Sequence, residues 1–587
     1  MRRAASVFLV AWWCALALSA VQLLHVGFRN RILGEIVWHS REIVWMAPLG
    51  NLLVFSAAAL PIAALGLVLP PASIRRLSIG VFGALAALGA FLLFPRIHPV
   101  ASFILAAGLG ARIAFTRDNL WSHRSWRFAG IGLGVAIACV VLGQVGRDQL
   151  MLRRERSGAV SADQAAPNVL LLIWDTVRAA SMSLHGHSQR TTPALDRWSG
   201  DGIVFDWAFS PAPWTLPSHA SIMTGVAAGD QTGDWRTPLD GRQRTVAEVL
   251  ASRGFATAGF VGNLNYTHSF SGLRRGFVGY DEHRRSLLQV VFSTPFLQPL
   301  VLRRALRAHA PAPLARLLSR VSMRVEPPYW AVEQKLDGSI TDAFLEWQGG
   351  LGGQPFFAFL NYYNAHQYWA PEDFRTRFGP DSSLAARYER AIAYLDAEVQ
   401  RALDGLRARG VLDNTLVILT SDHGELLGEH GLYDHGNGLY LPSLHVPLVM
   451  RYPPQLPRGR RIDHVVSLRD LPHTILAIAQ PREAAALPGR SLLEHLSPSA
   501  ADSVHVALAE VSQGIGTSPD WPVSRGDMTS FIDATHHYIR NGDGSEELFA
   551  YRQDPGELHN LVGATGTSDV VAAFRRRFED LRRHREP

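Results

Sequence analysis

A chain of 587 residues is longer than one hydrophobic core organises, and its composition is uneven: residues 1–146 are mostly apolar and the rest has mixed polarity. Its two cysteines, Cys14 and Cys139, both sit in apolar runs, which excludes a disulfide framework in the polar part. The net charge of +6 rests on arginine, with Lys335 the only lysine, and no basic stripe with interleaved aromatics occurs, so no nucleic acid partner is expected.

Five apolar runs, roughly 5–27, 45–69, 77–94, 98–115 and 128–146, are long enough or nearly so to cross a bilayer as helices, the third and fourth being short. Met1-Arg2-Arg3 is like the basic end of a signal peptide, but no small-residue cleavage site follows clearly and four more runs come after it. A multi-pass, uncleaved anchor is expected. With the N-terminus inside, cytoplasmic loops hold Arg2, Arg3, Arg75, Arg76, Arg112, Arg117, Arg124 and Arg127, against Arg29, Arg31, Arg41 and Arg96 outside. An odd number of crossings then places the polar part on the extracytoplasmic side of the cell (inner) membrane. Arg147, Arg153, Arg154 and Arg156 weigh the other way, but less, because they flank a large domain.

Residues 147–166 are polar without apolar periodicity and read as a linker. Asn168 to Ile173, NVLLLI, is a continuous apolar run ending at Trp174-Asp175, as a buried parallel strand should. The same grammar returns at Phe356–Asn361 (FFAFLN) and at Thr415–Thr420 (TLVILT), which is followed by Ser421-Asp422-His423. Helical patterns lie between, such as Ala386–Arg409 with Leu395, Val399, Leu403 and Leu406. An α/β fold is expected, a mostly parallel sheet sandwiched by helices with its functional groups at the carboxyl ends of strands.

Taken alone, Asp175 is equally well a helix cap, and Asp422-His423-Gly424 an ordinary polar turn. Between them stands PWTLPSHASIMTG, Pro213 to Gly225. It holds the Thr215 hydroxyl in a proline-bounded turn before a helix, where amide donors can meet an anion.

These segments resemble the sulfatase branch of the alkaline phosphatase superfamily. Asn168–Asp175 is similar to the family's first strand and first metal carboxylate, Thr191–Ser210 to the lead-in to the nucleophile, and WTLPSHASIMTG to the nucleophile turn and helix. SDHGELLGEHGLYDHG, Ser421 to Gly436, is similar to the second metal and substrate segment, and EELFAYRQDPGELHNL, Glu546 to Leu561, to the C-terminal signature. The likeness covers about residues 167–562. Five segments in the family's order make it far more specific than SDHG alone.

The resemblance implies that Asp175, Thr215, Asp422 and His423 surround one divalent metal ion. His423 stands where calcium-dependent sulfatases have an oxygen ligand and Thr176 where many have a second Asp, which favours Mn²⁺ or Zn²⁺ over Ca²⁺. Sulfatases convert a Cys or Ser in a CxPxR pattern into formylglycine. Here the nucleophile position is Thr215 and the Arg position is His219, and oxidising threonine would give a ketone, so no formylglycine is expected. An unmodified threonine resembles the phosphodiesterase, phosphoethanolamine transferase and lipoteichoic acid synthase members, which form a phosphothreonine.

The resemblance further implies that His366 in NYYNAHQYWAP contacts substrate, that His219, His430 and His435 are substrate-binding, and that one of these histidines protonates the leaving oxygen. His185, His187 and His445 read as structural. No second set of metal ligands is evident from the sequence. Residues 284–325 are Arg-rich, carry no acidic residue and include LLQVVF and PLVLRRAL. They read equally as an amphipathic element or lid at the membrane surface and as a solvated helical insertion.

The expected organisation is a transmembrane region of about five helices (1–146), a linker (147–166), a catalytic domain (167–480) and a smaller C-terminal subdomain (481–587). The expected function is hydrolysis or transfer of a phosphate ester or phosphodiester through Thr215, the substrate being an anionic ester with lipid-linked molecules and envelope glycans as candidates. A sulfuric ester hydrolase of the same fold and a catalytically inactive envelope-binding protein are the alternatives.

Overall fold

The structure is a computed structural model that describes residues 2–36, 42–94, 97–115, 130–144, 146, 150, 166–282, 290–291, 293–296, 335–378, 383–497, 505–514 and 518–585. It divides into two units. The first comprises Met1–Met151 with His283–Gln334, and the second Leu152–Glu282 with Lys335–Pro587.

In the first unit the apolar runs form helices α1 (Arg2–Arg31), α2 (Ile43–Leu65), α3 (Pro71–Leu92), α4 (Pro99–Ala114) and α5 (Gly130–Gln144). About 20 residues of helix cross a bilayer, so α1, α2 and α3 are long and apolar enough to do so, whereas α4 and α5 are shorter. The third run is therefore longer than its apolar core suggested. Helix α3 starts at Pro71, ahead of Arg75 and Arg76, because proline suits the first helical turn and arginine is a good helix former.

The Arg-rich insertion mostly lies outside the described residues, but its described part belongs with these helices. Phe296 packs beside Phe55 of α2 with ring centroids 6.1 Å apart. Gln22 of α1 donates through Nε2 to the Ser293 carbonyl at 2.7 Å, and Asn51 of α2 donates to Ser19 Oγ at 3.1 Å and to Gln22 Oε1 at 3.3 Å. These three polar side chains are buried among apolar neighbours, where only mutual hydrogen bonding makes them tolerable. Gly50 makes the approach possible, since a Cβ there would lie 2.2 Å from the Val290 carbonyl oxygen.

The second unit is built on a sheet of eight strands: β1 (Asn168–Trp174), β2 (Ile203–Phe209), β3 (Ala256–Val261), β4 (Gly279–Asp281), β5 (Phe356–Tyr362), β6 (Thr415–Ser421), β9 (His445–Arg451) and β10 (Arg460–Ser467). A small ribbon of β7 (Leu426–Leu427) and β8 (Tyr433–Asp434) follows β6. The order across the sheet is β10-β2-β9-β6-β1-β5-β3-β4. Every pairing is parallel except those of β9 with β2 and β6. Strands β1, β5 and β6 are buried throughout, as their uninterrupted apolar sequences require of strands covered on both faces.

Helix α6 (Leu384–Ala408) covers the sheet with Leu395, Val399, Leu403 and Leu406, the periodic residues of the sequence. The α/β expectation therefore holds. A four-stranded antiparallel sheet, β11 (Ala507–Val511), β12 (Met528–Ile532), β13 (His537–Arg540) and β14 (Glu546–Phe549), packs Phe531, Tyr538 and Leu548 against Phe574 of the C-terminal helix Ser568–Arg585.

Candidate active site

The register of the central strands assembles the site. Trp174 pairs with Ser421 on one side and with Tyr362 on the other. The next residues, Asp175 and Asp422, consequently emerge side by side at the carboxyl edge of the sheet. Asp175, Asp422 and His423 are all fully buried, and each presents a ligand atom within 4.8 Å of the others.

The turn that leaves β1 is locked from several sides. Thr176, a β-branched residue, adopts a left-handed φ of 65°, which costs energy and persists only where the surroundings impose it. Its N–H donates to Asp422 Oδ1 at 3.1 Å, and its carbonyl accepts from Tyr388 Oη at 2.6 Å. Ser421 Oγ donates to the Trp174 carbonyl and accepts from the Val177 N–H at 2.8 Å. Beyond β6, the Asp422 carbonyl accepts from the hydroxyls of Ser210 and Ser218. Gly424 is required by space, because a Cβ there would stand 1.9 Å from the Pro442 carbonyl oxygen.

The hydrogen bonds leave the right atoms free for a metal. Asn263 donates to Asp175 Oδ2 at 2.8 Å and Asn361 donates to the same oxygen at 3.3 Å, while Asp175 Oδ1 is buried with no hydrogen-bond partner. Asp422 Oδ1 accepts from the N–H groups of Thr176 and His423, while Oδ2 is left without one. His423 Nδ1 faces the Gly424 carbonyl at 2.8 Å, and a carbonyl can only accept, so the proton sits on Nδ1 and the Nε2 lone pair faces the carboxylates. Two orphaned buried carboxylate oxygens and one imidazole lone pair form a donor set that fits a divalent ion.

The electrostatics of the cluster agree. Burial raises the Asp175 carboxyl to about 6 even though Asn263 and Asn361 pull it down. Burial, with Asp175 adding to it, raises Asp422 well above the carboxylate range, and burial lowers His423 well below the usual imidazole value. Charge without a counterion is what this cavity disfavours.

Thr215 is the first residue of helix Thr215–Thr224 and is buried. Its Oγ1 lies 3.4 Å from His423 Nε2 and accepts from Asn263 Nδ2 at 3.3 Å. The structure thus brings Asp175, Thr215, Asp422 and His423 together. His219, one turn along the same helix, faces the Thr215 carbonyl through Nδ1 at 2.9 Å and Asp422 Oδ2 at 3.4 Å, and is wholly buried against Phe359. Burial lowers it to about 4.

His366 stacks on Tyr363 at 4.5 Å and meets His435 edge-on at 4.9 Å. Burial, with His435 beside it, lowers His366 to about 3. His435 lies 4.5 Å from the His423 ring and is paired with Glu425 at 3.2 Å and Asp434 at 2.9 Å. Burial works against its charge, but the two carboxylates outweigh burial and hold it well above the usual imidazole range. His430 instead stacks on Tyr440 at 3.7 Å, with its own φ at 54°.

Four contributors escape the sequence reading: Asn263, Asn361, Tyr388 and Glu425. Asn263 follows the apolar strand β3, so the strand-end rule that picked out Asp175 would have found it. Glu425, Asp434 and His435 also form a second group with ligand atoms within 4.8 Å of one another. The histidines read as structural lie elsewhere: His185 and His445 line a cleft of about 490 Å³ with Arg178, Trp207 and Arg461.

The chain matches the family described as Sulfatase over residues 167–481, and that described as N-sulphoglucosamine sulphohydrolase, C-terminal, over 428–584. Among curated relatives, an arylsulfatase of Clostridium perfringens is 23% identical over 483 residues, covering 70% of this chain and 93% of its own. Arylsulfatase A of Homo sapiens is 26% identical over 450 residues, covering 70% and 86%. Among solved structures, the phosphonate monoester hydrolase of Agrobacterium radiobacter has a TM-score of 0.54 at 21% identity, covering 71% of this chain and 96% of that one. A 2-O GAG sulfatase has a TM-score of 0.53 at 16% identity, covering 71% and 92%. At these identities the structural likeness establishes the fold.

Proposed function

The chain belongs to the sulfatase family and is a hydrolase of the alkaline phosphatase superfamily, and on that premise we propose that it cleaves a phosphate ester or phosphodiester through a covalent phosphothreonine at Thr215. The observation that carries this reading is the position of an ordinary threonine hydroxyl 3.4 Å from His423 Nε2, at a helix N-terminus. Threonine cannot yield the aldehyde of formylglycine, so the attacking atom is its own oxygen.

Asp175, Asp422, His423 and Thr215 would hold the divalent ion, with Mn²⁺ or Zn²⁺ favoured over Ca²⁺ by the imidazole. That ion supplies charge neutralisation at the transferring group and lowers the pKa of a bound hydroxyl. The chain's own residues do the rest. Asn263 bridges Asp175 and Thr215, fixing the hydroxyl relative to the carboxylate. Thr215, its hydroxyl proton released to solvent, forms an Oγ1–phosphorus bond as the ester oxygen leaves with the bonding pair and takes its proton from the histidine relay described below. Water or an acceptor alcohol then displaces Thr215 Oγ and restores the hydroxyl.

The histidines divide by charge. His435, held protonated by Glu425 and Asp434, attracts the anion. His366 is neutral, so we assign it to passing a proton from His435 to the leaving oxygen. His219, buried under the nucleophile turn, orients the Thr215 backbone, and His430 stays a candidate substrate contact from the neighbouring loop.

Residues 167–480 are the catalytic domain in this reading and 481–587 the C-terminal subdomain. The N-terminal helices serve as a multi-pass membrane anchor with the catalytic unit on the extracytoplasmic side, which favours a lipid-linked or envelope-glycan ester as substrate. The test is mass analysis of the chain after incubation with a slow phosphodiester and, in parallel, a sulfate ester. A phosphoryl adduct on the Thr215 peptide is expected. Thr215→Ala should lose turnover by ~10³-fold or more while still binding metal, and Thr215→Ser should keep part of the activity. Full turnover by Thr215→Ala sinks the assignment, and turnover of the sulfate ester alone replaces it with the sulfatase reading.

A further inference from the structure

The Arg-rich insertion supplies none of the residues assigned to catalysis, and its described residues lie with the helices of the first unit. Val290 and Thr294 are buried there, and Phe296 packs against the core that includes Leu18 of α1, Phe55 of α2 and Phe82 of α3. The chain passes between the two units three times, after Met151, after Glu282 and after Gln334. Where the insertion leaves and re-enters the second unit, Lys335 Nζ lies 2.6 Å from the Asp281 carboxylate with its side chain 5% exposed. Both limbs of the insertion therefore start from one clasped stem.

The buried polar residues of the bundle have two explanations. One is a clamp between helices, which the bonds from Asn51 to Ser19 and Gln22 already supply. That clamp has no use for the bond that Gln22 Nε2 donates to the Ser293 carbonyl at 2.7 Å. Nor does it need glycines facing the insertion. A Cβ on Gly50 would stand 2.2 Å from the Val290 carbonyl oxygen and 2.9 Å from Thr294 Cγ2. One on Gly89 of α3 would stand 2.9 Å from Phe296 Cζ, as well as 2.6 Å from Leu18 Cδ2. Glycine weakens a helix interior, and at both positions the space it leaves is filled by the insertion. The second explanation, a seat built for that segment, accounts for the amide and for the glycines together.

We infer that Val290, Ser293, Thr294 and Phe296 form a second membrane attachment of this chain, seated among α1, α2 and α3, which keeps the second unit membrane-bound independently of the linker. Hydrocarbon offers no hydrogen-bond partner, so an emptied seat would strand the Gln22 amide that now meets Ser293. It would also open a void beside Phe55, whose ring centroid lies 6.1 Å from that of Phe296. Small residues let backbones approach closely where lipid removes the hydrophobic drive, and Gly50 does this for the Val290 carbonyl. The attachment rests on the reading of the N-terminal helices as a membrane anchor and is independent of the substrate.

The experiment uses the full chain in its membranes, tagged at the C-terminus, with a site-specific protease sequence inserted in the linker between Val160 and Ser161. After cutting, the membranes are sedimented in high salt. The wild-type fragment from Ser161 onward, intact on a denaturing gel, should stay in the pellet. With Phe296→Asp its release into the supernatant should rise at least about tenfold, because burial of one phenylalanine side chain is worth that much in affinity. Gly50→Val should release it as well. That change falls inside a helix, so Phe296→Asp, which leaves α1, α2 and α3 unaltered, decides the matter. Wild-type fragment in the supernatant, or equal retention of wild type and Phe296→Asp, overturns the second attachment. Uncut wild-type chain in the supernatant sinks the membrane-anchor reading, and this attachment with it.

Discussion

Replacing Asp175 by asparagine should destroy activity yet stabilise the metal-free protein. Asp175 is completely buried, and without a cation its carboxyl is pushed from 3.8 to about 6, a difference that costs about 3 kcal/mol once the group is ionised. Below pH about 4 the folded and unfolded chains both carry the proton and nothing is lost. Between about 4 and 6 the unfolded chain releases its proton while the folded chain keeps it, so stability falls as pH rises. Above about 6 the full penalty of about 3 kcal/mol persists.

Asparagine never ionises. Its oxygen can still accept from Asn263, and its amide can donate toward Asp422 Oδ2, which is otherwise without a partner. Asp422 gains as well, since a neighbouring carboxylate is one cause of its raised pKa. Thermal unfolding of wild type and Asp175→Asn in excess chelator, across pH 4 to 8, is the assay. The two should coincide near pH 4 and diverge up to pH about 6, with the variant the more stable by about 3 kcal/mol. With Mn²⁺ or Zn²⁺ restored, wild type should recover and the variant should not. A pH-independent difference, or a variant less stable than wild type in chelator at pH 8, would refute the reasoning.

Asn263→Ala should lower metal affinity or kcat by about 10–100-fold, because it removes the side chain that bridges Asp175 and Thr215; metal titration and steady-state kinetics report it. Gly424→Ala should be among the most damaging single changes, since its Cβ would meet the Pro442 carbonyl at 1.9 Å and shift His423, costing about 2 kcal/mol or more; a thermal midpoint equal to wild type contradicts this. Gly50→Val should expel Val290 and Ser293 from the helices, as its Cβ would meet the Val290 carbonyl at 2.2 Å. In a chain with Cys14 and Cys139 replaced, a disulfide between Gln22→Cys and Ser293→Cys should form while Gly50 is kept and fail to form once Gly50→Val is added.

Much of this protein is legible in its sequence because the relevant signals are local. A strand covered on both faces needs an unbroken apolar run, so β1, β5 and β6 announce themselves, and the polar residues at their ends fall where a parallel sheet exposes functional groups. The Thr215 turn is equally local, a hydroxyl opening a helix between prolines. The lengths of α1 and α2 follow from runs of apolar side chains.

What only tertiary structure decides depends on which strands are neighbours. Asn263 and Asp175 are 88 positions apart, and their bond exists because β3, β5 and β1 lie side by side in an order the chain does not follow. His435 reads as one polar contact among several until Glu425 and Asp434 are seen to hold its charge. The Arg-rich insertion shows no sign in its composition that Ser293 meets a buried Gln22 of the first helix 271 positions away. Periodicity and turn chemistry act within a few residues and so survive in the sequence. Contacts across a sheet are fixed by strand order and register, and those are properties of the folded chain.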